Sequence, residues 1–236
     1  MRKRFFNPYV GSEYKNGLFG SKKVLVLGAS HYCTYNDKSE VFNCPVWEEC
    51  TSMLKKDSSK FNNCCPYYEN IGWIREYGIK LEDSASTEIE NFFDSPSQYK
   101  TYDNFTKFIS DYFGLTDVKE LWSRLAFVNY VQYFLPTVNT PKLNKDDIVN
   151  FEAFLEILDE LQPDIIIAWG SKITNHFKLD KIQGMVEWLH KRDNDYFWDL
   201  IYNEKKYIII NSWHPSDPYR WKGGQDDFYS ALKAVL

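Results

Sequence analysis

The sequence predicts an α/β fold, a three-layer α/β/α sandwich built on a short, mostly parallel sheet and carrying a helical insertion. Three observations predict it. Short apolar runs recur along the chain without the alternation of a half-exposed strand, which is how strands covered on both faces read. Segments with apolar residues at spacings of three and four lie between them. Strand and helix patterns therefore alternate, as they do where helical crossovers join parallel strands.

The first run is Lys23-Val24-Leu25-Val26-Leu27-Gly28, which is β-branched and ends in glycine. Ala126-Phe127-Val128-Asn129-Tyr130-Val131 is the second, and Asp164-Ile165-Ile166-Ile167-Ala168-Trp169-Gly170 is the third. Tyr207-Ile208-Ile209-Ile210-Asn211 is the fourth. Ahead of it, residues 196–207 are expected to form an antiparallel arm turning at Asn203-Glu204. The clearest helix covers residues 144–161. Asn144 suits an N-cap, Ile148, Phe151, Phe154, Leu155, Leu158 and Leu161 make one stripe, and Pro163 stops it. Asp103 is expected to cap a helix over 104–113 that ends at Gly114, and a last helix runs from about 226 to 236. Residues 67–122 read as a helical insertion within a single domain spanning 1–236. Residues 30–66 are polar and rich in Cys and Tyr, with little periodicity. A long irregular stretch beside a strand end is more often functional than decorative.

At 236 residues the chain is long enough for one sizeable core. The basic start, Met1-Arg2-Lys3-Arg4, has no apolar stretch behind it, and no run approaches the roughly 18 apolar residues of a membrane span. A cytoplasmic protein with no membrane partner is expected, and a monomer. The net charge of −5 argues against broad affinity for nucleic acid, although binding needs only a local positive patch. The five cysteines, Cys33, Cys44, Cys50, Cys64 and Cys65, are odd in number and contain no Cys-x-x-Cys pair. They read as reduced, non-ligating thiols, with a metal site or a redox pair as the alternatives. No cofactor is expected.

Ligands of open α/β sheets bind beyond the carboxyl ends of the strands. Those places carry polar residues here. Ala29-Ser30-His31-Tyr32-Cys33 follows the first strand, Asn129 stands near the end of the second, Ser171-Lys172 follows the third, and Ser212-Trp213-His214-Pro215-Ser216 follows the fourth. Asn129 and His214, each at the end of strands taken as adjacent, are expected to face one pocket.

In this order the four places resemble the motifs of the uracil-DNA glycosylase superfamily, its bacterial and archaeal branches above all. The likeness covers residues 17–33 and 121–236 and rests on Val24-Leu25-Val26-Leu27-Gly28, Phe127-Val128-Asn129-Tyr130, residues 163–170, and His214-Pro215-Ser216 with Tyr219-Arg220 and Phe228-Tyr229 after it. The resemblance implies excision of a uracil or another deaminated or damaged base flipped out of single- or double-stranded DNA. His214 would donate a hydrogen bond to the oxyanion of the leaving base, and Asn129 would read its pairing edge. Gly28 and Ala29 would border the base, with Phe42 stacking on it. Ser216, Tyr219, Arg220 and Trp221 would fill or flank the gap in the stack, and Ser171 and Lys172 would meet the backbone.

The sequence departs from the family where it usually has Asp, Glu or Asn to position the attacking water. Here the loop reads Gly28-Ala29-Ser30-His31-Tyr32. Ser30 can orient water, and His31 can act as a base near neutral pH. Structural readings stand beside these: His214 capping a turn, Asn129 satisfying backbone at a strand end, His31 and the tryptophans packing, Lys172 solvated. The functional alternatives are a non-catalytic nucleic-acid or nucleotide-binding module of the same fold, and hydrolysis of a small nucleoside-like substrate.

Overall fold

The computed structural model describes residues 4–18, 20–32, 81–135, 148–192, 196–216 and 225–236. The strands are β1 Tyr9–Val10, β2 Val24–Gly28, β3 His31–Tyr32, β4 Leu125–Asn129, β5 Phe134–Leu135, β6 Ile165–Trp169, β7 Trp188–Lys191, β8 Phe197–Tyr202 and β9 Lys205–Ser212. The helices are α1 Ser84–Asp94, α2 Lys100–Phe113, α3 Val118–Ser123, α4 Val149–Leu161, α5 Ser171–His176, α6 Asp180–Gln183 and α7 Gln225–Val235.

Among the described residues, seven strands form one mixed sheet in the order β1-β4-β2-β6-β9-β8-β7. Its centre, β4-β2-β6-β9, is parallel, while β1, β8 and β7 join antiparallel at the margins. β4 and β9 are not neighbours, contrary to the expectation that the strands bearing Asn129 and His214 adjoin: β2 and β6 stand between them. The register nevertheless puts all four parallel ends at one level, pairing Gly28 with Asn129 and Trp169 with Ser212.

The near-continuous apolar runs have the reason expected of them. Leu25, Leu27, Ala126, Val128, Ile166 and Ala168 point to a core shared with Phe151, Phe154 and Leu158 of α4 and Ile173 of α5. Val24, Val26, Phe127, Ile165, Ile167 and Trp169 point the other way, to Ile89 and Phe92 of α1, Phe105 and Ile109 of α2, Trp122 of α3 and Leu232 of α7. Each fully buried Val, Leu, Ile or Phe side chain contributes about 1.5–3 kcal/mol relative to exposure, so both faces of the sheet need their helices. The helical segment expected within 67–122 is described from residue 81, and its helices wall one of these two cores.

Local chemistry explains most of the boundaries. Gln162, at φ 47°, closes α4 in the left-handed conformation ahead of Pro163, but the helix starts at Val149 with Ile148 in the N-cap place and not at Asn144, which lies outside the described residues. The β8–β9 arm turns at Asn203 and Glu204, both at positive φ, as a two-residue hairpin requires. Asp103 is not the cap of its helix. α2 starts at Lys100 out of a turn led by Pro96, so Asp103 falls inside the first turn, where it pairs with Lys107 one turn on. Gly114, at φ 66°, ends that helix as expected.

One buried bond anchors the α2–α3 side. The Trp122 indole N–H donates to Thr106 Oγ at 2.8 Å, and that hydroxyl donates to the Tyr102 carbonyl at 2.7 Å. Thr106→Val keeps the shape but leaves the indole N–H buried and unpaired. A loss of about 1–3 kcal/mol is expected, read as a lower urea midpoint with unchanged slope. An unchanged midpoint would show that the indole finds another partner.

Candidate active site

Beyond the ends of the parallel strands lies a cavity of about 620 Å³, within the ~300–1,000 Å³ span of small-molecule sites. Ala29 and Ser30 after β2, Asn129 of β4, Gly170, Ser171 and Lys172 after β6, and His214 and Ser216 after β9 all line it. Tyr32, Tyr99, Tyr102, Phe127 and Trp169 make its aromatic walls. Phe42, Tyr219, Arg220, Trp221 and all five cysteines lie outside the described residues.

Two glycines shape the backbone beside the polar groups, one by its lack of a side chain and one by its conformation. A Cβ on Gly28 would stand 2.3 Å from Asn129 Oδ1 and 2.9 Å from the Phe127 ring, so the Asn129 amide lies directly over this backbone. Gly170 has φ 96°, a conformation that glycine alone adopts without strain, and it approaches the Cβ of His214. Its N–H donates to the Ser212 carbonyl at 2.8 Å, which fixes the chain just before His214.

The loop holding His214 is braced twice more. Asn104 of α2 donates its amide N–H to the Pro215 carbonyl at 2.7 Å. The Ser216 backbone N–H donates to His214 Nδ1 at 3.3 Å, and the Ser216 hydroxyl lies 2.7 Å from the same nitrogen. A nitrogen that accepts an N–H carries no proton of its own, so the neutral ring has its proton on Nε2. His214 is thereby set as a hydrogen-bond donor.

His31 is placed differently. It is buried, with a side chain 1% exposed, and it is not among the residues lining the cavity. Its ring packs on Phe6, with centroids 4.3 Å apart, and Asn129 Nδ2 lies 3.2 Å from Nε2. Its Nδ1 meets Glu88 Oε1 at 2.8 Å, and the Tyr102 hydroxyl donates to Glu88 Oε2 at 2.5 Å. Glu88, from α1, has a side chain 31% exposed and does line the cavity. It is a titratable group of the cavity wall that the sequence motifs did not indicate. Burial pushes its carboxyl upward, but the charge of His31 and hydrogen bonds from His31 and Tyr102 outweigh that and hold it below the ordinary range. Glu88 accepts from Nδ1, and the Asn129 amide nitrogen lies 3.3 Å from Nδ1 and 3.2 Å from Nε2 of the same ring.

Burial raises the Tyr32 hydroxyl above its usual range and lowers the Lys172 ammonium below its own. The wall therefore offers a histidine donor, a carboxamide, a carboxylate and an amine. Among the described residues no group of three His, Cys, Asp or Glu could hold a metal ion, and no helix is long and apolar enough to cross a membrane. Neither a family model nor a curated protein matches the sequence.

Proposed function

We propose that the protein is a base-excision glycosylase of the uracil-DNA glycosylase type, in a three-layer α/β/α fold, which hydrolyses the N-glycosidic bond of a flipped, deaminated or damaged base. The observation that carries the reading is the convergence of Asn129 and His214 on one cavity from strand ends that two further strands separate. An excised base leaves as an anion. A preset Nε2–H donor at the site of the developing oxyanion lowers that barrier without reorganisation. The Asn129 carboxamide, whose nitrogen lies 3.2 Å from the His31 ring, carries both a donor and an acceptor and so suits the donor–acceptor edge of a pyrimidine. Tyr32, Phe127 and Trp169 give the base apolar walls, and Ser171 and Lys172 stand at the rim where a flanking phosphate would lie.

The test is a glycosylase assay on oligonucleotides carrying uracil, hypoxanthine or xanthine, single- and double-stranded. Release of at least one base, lost in His214→Ala, is the expected result. Tight lesion binding with no release for any base would leave the binding-module reading instead. That alternative draws on the loop Gly28-Ala29-Ser30-His31-Tyr32, which carries no carboxylate.

A further inference from the structure

We propose that Glu88 is the carboxylate that holds and deprotonates the attacking water, with His31 as its positioning residue, an assignment that rests on the glycosidic reading above. Glu88 lies far from the first strand in sequence, on α1, yet its side chain enters the cavity beside Asn129. Both carboxylate oxygens are engaged, Oε1 by His31 at 2.8 Å from behind the wall and Oε2 by Tyr102 at 2.5 Å. A carboxylate has about four acceptor positions, so two bonds leave others for a water on the cavity side. The side chain is 31% exposed there, whereas His31 is enclosed, so only Glu88 of the pair can touch a reacting group.

The same ring contacts Asn129 Nδ2 at 3.2 Å, so His31 ties the group that reads the base to the group that holds the water. The geometry fits an oxocarbenium-like reaction. The C1′–N bond breaks with its electron pair leaving on the base, whose oxyanion His214 Nε2–H stabilises. The water oxygen then bonds to C1′, and its proton passes to Glu88 and on to solvent. A negative carboxylate also favours the positive sugar. Such chemistry needs a positioned, ionised group more than a strong base. Among the described residues, the titratable groups facing Glu88 are His31 and Tyr32 on β3, Tyr99 just before α2 and Tyr102 in its first turn. The hydrogen bonds and charge of His31, with the Tyr102 hydroxyl, keep the carboxylate ionised.

The experiment is single-turnover base release and lesion-oligonucleotide binding by wild type, Glu88→Gln, Glu88→Ala with added formate, and His31→Asn. Glu88→Gln is expected to slow release about a hundredfold or more with binding little changed. Formate is expected to restore part of the rate of Glu88→Ala, which a purely structural carboxylate would not allow. In His31→Asn the acid limb of the pH–rate profile should move to higher pH, because burial is then less opposed. Glu88→Gln releasing base at the wild-type rate overturns this assignment alone, and so does Glu88→Ala that formate leaves inactive in a folded protein. Wild type that releases no base overturns the glycosidic reading and the assignment together.

Discussion

Replacing His214 with alanine is expected to slow base release about a hundred- to a thousandfold, the cost of removing one preorganised oxyanion donor. Lesion binding should hardly change, because the donor acts on charge that develops only as the bond breaks. The backbone around His214 explains the size of the effect. The Ser216 N–H on Nδ1 fixes the tautomer, Asn104 holds the Pro215 carbonyl, and Gly170 clamps the chain through Ser212. Asn104→Ala removes only one brace and should lose a smaller part of the rate. The check is single-turnover release at saturating enzyme, with binding measured separately. A His214→Ala enzyme as fast as wild type would move the oxyanion role elsewhere.

The central strands were legible because burial on both faces leaves a strong mark: β2, β6 and β9 read as apolar runs bounded within a residue or two of where they lie. The hairpin was legible for another reason, since a two-residue turn at positive φ sits between two β-rich stretches. β1 and β7 were not. β1 has two residues, and β7, Trp188-Leu189-His190-Lys191, pairs on one side only and keeps a polar, partly exposed composition. Edge strands of that kind carry little periodic signal.

The site divides in the same way. Asn129 and His214 follow strands, so the rule for sheet ends locates them. Glu88 follows no strand and reaches His31 across 57 positions of sequence. It sits beside Ile89, three positions after Ala85 and four before Phe92, all on the buried stripe of α1. A carboxylate on an apolar stripe is the signal that was available, because burying a charge is costly without partners. His31 was found by type, but its part was not legible. Only the packing against Phe6 and the bond to Glu88 place it behind the cavity wall.

Gly28→Ala carries the second large effect. The new Cβ would stand 2.3 Å from Asn129 Oδ1 and 2.9–3.0 Å from two atoms of the Phe127 ring, so one of them must move. Phe127 is wedged between Tyr102, Trp122 and Trp169, with centroids 5.3–6.2 Å away, and has little room to yield. Asn129 yields instead, and its amide leaves both the base edge and His31. A displacement of about an ångström in a positioning group can cost on the order of a hundredfold in rate, and overpacking a buried site costs about 1–3 kcal/mol in stability. The two losses can be separated by a double-mutant cycle with Asn129→Ala. If the clash acts through Asn129, Gly28→Ala should do far less further harm in the Asn129→Ala background than in wild type, in release and in urea midpoint alike. Losses that simply add would place the clash on Phe127 and the backbone, and would remove Gly28 from any part in holding Asn129.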